Sequence, residues 1–254
     1  MSGFRAYFDF SNFSANEGAE ITLSADESRH LCGALRARNS DAVDAFDLAG
    51  NIFACKIVSA SQSAAVLSVG GRIPQSKNRA QITLLQCLPK GKTFDDIIRQ
   101  SVELGAAGII PILSRFSQVK IEGADLQKKH QKWLAQVVEA VKQSSNFSGF
   151  DICAAKKFPE AIEAVEDFDL KLVASLEPNA VGIAEAFSEI IMPKKIAVLI
   201  GPEGDMSADE YAAAARAGFV PITLGQNVLK SETAAISALS RVLAALDFVG
   251  GNAR

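Results

Sequence analysis

Two hydrophobic rhythms divide this chain. Up to about residue 72, short apolar stretches such as AVDAFDLAG, NIFACKIVS and AAVLSVGG are separated by Gly, Asn and Ser. Runs of that length and punctuation predict a small β-rich domain over residues 1–73. A polar link, PQSKNRAQ (74–81), follows, and then the pattern changes. Strand-like ITLLQCL (82–88), GIIPIL (108–113), FDICA (150–154), LKLVASL (170–176), IAVLI (196–200) and VPITL (220–224) alternate with helix-like segments. That alternation predicts an α/β domain over residues 79–254, a mostly parallel sheet covered on both faces.

The stretch IAVLIGPEGDMSADEYAAAARAGF (196–219) carries detailed local instructions. Ile196 to Ile200 is short, β-branched and uncharged, which suits a strand buried on both faces. Pro202 can preset the second position of a β-turn, with Gly204 at the fourth. Ser207 and Glu210 have capping-box spacing, and the Ala-rich helix former behind them stops at Gly218. Strand, tight turn and helix follow in order. In open α/β sheets the crevice at the carboxyl ends of the strands is where ligands sit, although the same turn can serve as a plain connection. Further on, LGQNVLKSETAAISALSRVLAALDF passes from a strand end through Gly225 into a last helix, where Ile236, Leu239, Leu243 and Leu246 form an apolar stripe.

Composition narrows the setting. With 254 residues and 48% hydrophobic content, the chain has room for two domains. Cys32, Cys55, Cys87 and Cys153 are far apart and form no CxxC pair, so they read as small buried hydrophobes in a reducing compartment. The N-terminal MSGFRAYFDF lacks a basic region followed by an apolar core, and no apolar run reaches membrane-spanning length, so a cytoplasmic location is expected. His30 and His130 are too few and too isolated to suggest a metal site. Net charge is −3, yet its distribution is uneven. Lys and Arg against Asp and Glu run 8 to 8 over residues 1–79, 9 to 7 over 80–155 and 9 to 14 over 156–254. Lys77, Arg79, Lys90 and Lys92 precede one predicted helix, and Lys128, Lys129 and Lys132 lie on another. Phosphate binding needs such a local positive surface and tolerates an acidic remainder; a solvated helix face gives the same pattern.

Several motifs recur in the order of a known family. His30 with Leu35-Arg36, Lys90-Gly91, Glu103-Leu104-Gly105, Pro111, Gly-Pro-Glu-Gly at 201–204, Leu224-Gly225 and Glu232-Thr233-Ala234 span nearly the whole chain. Any one is weak, but their order and spacing together are specific. On these motifs the chain resembles the ribosomal RNA small subunit methyltransferase E family, bacterial enzymes that methylate N3 of a uridine in 16S ribosomal RNA. The resemblance implies a SPOUT-class catalytic domain with a C-terminal trefoil knot and an N-terminal PUA-like β-barrel that binds RNA. It also implies a homodimer, with the stripe of the last helix partly at the subunit interface, and a partner in 16S ribosomal RNA or the small ribosomal subunit.

By the same resemblance the cofactor is S-adenosylmethionine, with no metal. Its pocket is expected from Ile200, Gly201 and Gly204 on one wall and Leu224, Gly225, Val228 and Leu229 on another, with Leu176, at the end of an earlier strand, as a third contact. Glycines suit that task because the main chain can approach a ligand closely. Uracil N3 carries a proton in the neutral base, so a group that removes it or stabilises the anion is needed. Glu232 and Glu203 are the candidate carboxylates, and a carboxylate such as Glu232 at a helix start also serves simply to stabilise that end. Arg36, Lys90, Lys92, Arg115, Lys120 and Lys230 are the candidate RNA contacts. The chain departs from the family at Gln100, Phe116, Asn146 and Asn227, where family members carry Lys or Arg, and at Glu177, where a His is expected before Pro178. Lys230 keeps a charge but lacks the bidentate fork of an arginine. Two other readings therefore stand beside the rRNA enzyme: a non-catalytic RNA-binding assembly factor on the same scaffold, and a methyltransferase with another target such as tRNA.

Overall fold

The computed structural model describes all residues except 1–2, 15, 76–79, 118–122, 189, 191 and 252–254, and omits the side chains of 249–251. It divides into two compact units, residues 1–77 with 141–150, and residues 78–140 with 151–254. Residues 141–150, which fall inside the alternating half of the sequence, thus pack with the N-terminal unit.

The first unit is built on a five-stranded sheet. Strands β1 (Phe4–Tyr7), β2 (Glu20–Thr22), β3 (Ala42–Phe46), β4 (Ile52–Ser59) and β5 (Val66–Arg72) are arranged β1-β3-β4-β5-β2. All pairings are antiparallel except β1 with β3. The stretches with alternating apolar residues supplied β3, β4 and β5. The edge strands β1 and β2 are too short to show a period. Helix α1 (Ala25–Ser28) starts on Ser24, whose side chain accepts from the Glu27 amide, and runs into a π-helical turn at Arg29–Ala34. Ile21, Leu31, Val43, Ile57, Leu67 and Val69 fill the core. The 141–150 segment adds Phe147 against Phe46, with ring centroids 5.1 Å apart. It also adds Lys142, whose ammonium lies 2.6 Å from the Glu27 carboxylate with both side chains largely out of solvent. Removing either partner would strand a buried charge.

The second unit holds seven parallel strands. They are β6 (Gln81–Cys87), β7 (Gly108–Leu113), β8 (Asp151–Ile152), β9 (Lys156–Lys157), β10 (Leu170–Ala174), β11 (Lys195–Ile200) and β12 (Val220–Ile222). Their order is β12-β10-β11-β6-β7-β8, with β9 also paired to β7. The strand expected over 150–154 is only the two residues of β8, followed by the separate pair β9. Between the strands lie α2 (Thr93–Glu103), α3 (Ala124–Ser144), α4 (Phe158–Glu163), α5 (Ile183–Ala186) and α6 (Ala208–Arg216), and α7 (Ser231–Gly251) ends the chain. Residues Ile196 to Ile200 of β11 are all buried, as a central parallel strand requires.

Alternation along β6 sorts its side chains. Leu85 and Cys87 join the cluster that α4 and α6 cover, with Val173, Ala197 and Leu199 from β10 and β11. Gln86 between them points the other way and meets Ser231 at the start of α7. That helix packs on β6 and β11, beside α2. Its buried face is Ala235, Ala238, Leu239, Val242 and Leu246. Of the expected stripe only Leu239 and Leu246 are fully covered, and Ile236 and Leu243 remain half-buried. The small residues Ala235 and Ala238 supply the close approach that a stripe read on large residues misses. All four cysteines are free, and burial pushes each thiol above its ordinary pKa, so they behave as apolar groups.

Candidate active site

Because the strands are parallel, the segments after β10, β11 and β12 leave the sheet at one edge. They enclose a cleft of about 320 Å³ with the first turn of α7 and Tyr211 of α6. That size is ordinary for a small-molecule site. Of the residues expected there, Leu176, Ile200, Gly201, Leu224, Gly225, Val228 and Leu229 line the cleft, as does Glu203. Gly204 does not; a Cβ built on it would stand 3.6 Å from Cβ of Phe116, on the outside of the turn. Lys230, singled out for RNA contact, and Asn227, which stands where the family carries a cation, are part of the lining. Ser175, Asp205, Tyr211 and Ser231 line it too, although no motif in the sequence marked them.

The turn after β11 sits one residue later than the sequence suggests. The Asp205 amide donates to the Pro202 carbonyl at 3.0 Å, so Pro202 opens the turn and Glu203-Gly204 is its centre. Asp205, with φ +61°, takes the left-handed conformation that Gly204 would have provided. The capping box does form: the Ser207 amide and hydroxyl donate to Glu210 at 2.8 and 2.9 Å, and the Glu210 amide donates back to Ser207 Oγ at 3.3 Å. The second Glu210 oxygen accepts from the Arg115 amide at 2.9 Å. Glu203 accepts from the Lys90 amide at 3.0 Å. Two neighbouring loops are thus tied to this turn through backbone amides.

A buried polar chain fixes the cleft from beneath. Gln86 donates to Ser231 Oγ at 2.9 Å and to the Cys87 carbonyl at 2.8 Å, and Ser231 donates to the Gly201 carbonyl at 2.8 Å. Gln86 Oε1 is buried without a partner among the described residues. On the opposite wall, Thr223 Oγ1 accepts from the Gly225 amide at 3.2 Å, and Arg241 donates to the Leu224 carbonyl at 2.9 Å. Gly225 has φ +122°, which only glycine adopts without strain, and a Cβ there would meet nothing within 4 Å. Leu176 and Val228 are 63% and 77% exposed, so the cleft has an open apolar rim.

The remaining candidates lie elsewhere. Glu232 is in the first turn of α7, outside the cleft lining, where a carboxylate favours the helix start. Lys90, Lys92 and Arg115 are exposed in the second unit, and the Arg115 guanidinium is 3.3 Å from Asp209. Arg36 is exposed in the first unit with φ +57°. Lys120, Lys77 and Arg79 fall outside the described residues. Asn146 is engaged locally, accepting from Ser148 Oγ at 2.6 Å. Among the described residues no group of three or more His, Cys, Asp or Glu is placed to hold a metal ion, and no helix is long and apolar enough to cross a membrane.

The chain and its fold are similar to those of known proteins. The RNA methyltransferase domain family matches residues 76–243. The chain belongs to that family, and its relatives within it carry the name ribosomal RNA small subunit methyltransferase E. The protein of that name from Mesomycoplasma hyopneumoniae is 30% identical over 175 residues, 68% of this chain and 72% of that protein. The one from Bacillus subtilis is 26% identical over 243 residues, 94% of this chain and 95% of that protein. Among solved structures, the Neisseria gonorrhoeae enzyme of the same name, bound to S-adenosylmethionine, aligns with a TM-score of 0.81 at 25% identity, over 94% of this chain and 96% of that one.

Proposed function

We propose that this protein transfers the methyl group of S-adenosylmethionine to N3 of a uridine in 16S ribosomal RNA. One observation carries the reading: seven of the eight residues expected to hold the cofactor, distant in sequence, line a single cleft. The cleft suits that cofactor. Leu176, Ile200, Leu224, Val228 and Leu229 offer apolar surface for a purine, and Gly225 adopts a backbone conformation that only glycine takes without strain. The cofactor when bound supplies an electrophilic methyl on a sulfonium.

The chain's own groups do the rest. Glu203 is the base, or orients the uracil edge; it lines the cleft while the Lys90 amide holds one of its oxygens. Glu232 supports the start of α7 and, through it, the placement of Ser231. Lys90, Lys92, Arg115, Lys120 and Lys230 with Arg36 contact the RNA, residues 1–73 acting as a PUA-like RNA-binding barrel and residues 79–254 as the SPOUT domain. The bond from Ser231 to the Gly201 carbonyl fits a trefoil knot in which the C-terminal segment is drawn behind the 201–207 turn. A cytoplasmic homodimer follows from the same reading, and the half-buried Ile236 and Leu243 with the 73% exposed Phe248 are apolar surface on α7 available to a second subunit.

Nucleoside mapping of RNA from a strain lacking the gene tests this directly. One 3-methyluridine should vanish from 16S RNA and return when the gene is restored. Unchanged 16S RNA, with a methyl group missing from tRNA instead, would overturn the substrate assignment.

A further inference from the structure

Asp205 stands apart from every other group in the cleft. It is not a glycine, yet it holds φ +61°, which Asp tolerates when its side chain bonds locally, as here to the next amide. A carboxylate set by that turn at a ligand cleft raises the question of what it does there. Its position is fixed from two sides. Oδ1 accepts from the Met206 amide at 2.7 Å and from the Tyr211 hydroxyl at 2.8 Å. Burial, followed by the Asp205 carboxylate itself, pushes the Tyr211 phenol above its ordinary pKa, so the phenol keeps its proton and remains a donor. The same Oδ1 lies 3.5 Å from where a Cβ on Gly201 would be, which places the carboxylate beside the main-chain floor of the cleft.

The charge balance of the lining points the same way. Its ionised side chains are Glu203, Asp205 and Lys230, two anions and one cation. Among the described residues both carboxylates are held only by neutral donors, Glu203 by the Lys90 amide and Asp205 by the Met206 amide and the Tyr211 hydroxyl, so neither charge is compensated, and of the two it is Asp205 that lies against the Gly201 floor. While the cleft is open, water screens that charge. A ligand filling the cleft removes the water, and an uncharged purine or ribose would leave the carboxylate poorly compensated. A cation in its place restores the balance.

We infer that Asp205, braced by Tyr211, is the specificity-determining residue that receives the cationic methionyl end of S-adenosylmethionine. The inference rests on the reading of the cleft as the cofactor site. Because the positive charge on sulfur disappears as the methyl leaves, a nearby carboxylate favours the bound cofactor over the transition state. Asp205 therefore acts in binding: its loss raises KM for the cofactor without lowering kcat.

The test is calorimetry on the full-length chain with two probes, S-adenosylmethionine, whose methionyl end carries a net charge of about +1 from sulfonium, ammonium and carboxylate, and 5′-methylthioadenosine, which keeps the adenosine and lacks all three charged groups. Asp205→Asn suits the same backbone conformation and should weaken S-adenosylmethionine about fivefold while leaving 5′-methylthioadenosine within about twofold, the effect of one partly exposed charge pair. Tyr211→Phe should show the same selectivity at smaller size. If Asp205→Asn were to fold poorly, Asp205→Gly, which suits φ +61° better, carries the comparison. Equal losses for both probes would move Asp205 to the ribose and overturn the inference, and unchanged affinity for both would remove it from the site. A wild-type chain that binds 5′-methylthioadenosine but not S-adenosylmethionine would overturn the assignment of Asp205 alone. A chain that binds neither would overturn the reading of the cleft as well.

Discussion

The turn after β11 and the loop after β12 wall the same cleft, and they are held by very different means. Residues 201–207 are fastened on every side: by the Pro202 to Asp205 turn, the Ser207 and Glu210 box, the amides of Lys90 and Arg115, and the buried link from Gln86 through Ser231 to the Gly201 carbonyl. Residues 224–229 are held by the Thr223 contacts and one bond from the exposed Arg241. One wall is thus set in the folded sheet before any ligand arrives, and the other has freedom to adjust. The difference teaches that fixed geometry is concentrated where side chains tie the turn to the sheet, while access is left to the side with fewest ties.

The strongest way to break this contrast is to crowd the fastened wall. Gly201→Val should abolish measurable S-adenosylmethionine binding, a loss of more than about a hundredfold, or roughly 3 kcal/mol. Its Cβ would stand in ordinary contact, 3.4 Å from Met206 Cγ and 3.5 Å from Asp205 Oδ1, so the two methyls beyond it must take space from the cleft, because a wall so tied does not retreat. Retained affinity in titration calorimetry would show that it can.

Next comes the link beneath the cleft. Gln86→Leu removes the donor to both Ser231 and the Cys87 carbonyl in a fully buried place, so denaturant unfolding should show a loss of about 1–3 kcal/mol. Affinity for the cofactor should fall with it. A stability change without an affinity change would disconnect Gln86 from the wall.

On the loose side the expected effects separate. Gly225→Ala meets no neighbour but cannot hold φ +122° comfortably, so S-adenosylmethionine affinity should drop by about 1–2 kcal/mol. Thermal stability should hardly move, because few bonds depend on the loop. A large fall in Tm would mean that this wall is as firmly set as the other. Hydrogen exchange offers the same comparison without mutation: amides of 224–230 should exchange faster than those of 205–210, and slow more on adding cofactor.

The smallest effect is expected outside both walls. Arg115→Ala should reduce the salt dependence of RNA binding by about one unit of slope, that of one phosphate contact, and leave cofactor affinity unchanged. Its guanidinium already has Asp209 at 3.3 Å, which limits what an RNA phosphate can gain. An unaltered slope would remove Arg115 from the RNA surface.

Much of this molecule follows from local pattern alone. The strands at 108–113 and 196–200, the helix opened by Ser207 and Glu210, and its stop before Gly218 each rest on neighbours within a few residues, so a linear chain carries them in full. The glycine-bearing strand ends marked the cleft for the same reason: a missing side chain and a turn-forming proline are visible wherever they occur.

Other features required the fold. The assignment of residues 141–150 to the first unit depends on partners such as Phe46 and Glu27, about a hundred positions earlier. The one-residue shift of the turn at Pro202, which turned Asp205 into the left-handed residue, was decided by which amide reached the Pro202 carbonyl. Gln86 reads in sequence as a polar interruption of a buried strand, and only its place opposite Ser231 gives it a task. Asp205 and Tyr211 are six residues apart on either side of a helix start, with no motif between them. They meet because the turn and the first turn of α6 converge on the cleft. Sequence determined which segments could be strand, turn and helix, since those preferences act over a few bonds. Tertiary structure decided which carboxylate, hydroxyl and amide ended within 3 Å of one another, because that depends on distances summed over the whole sheet.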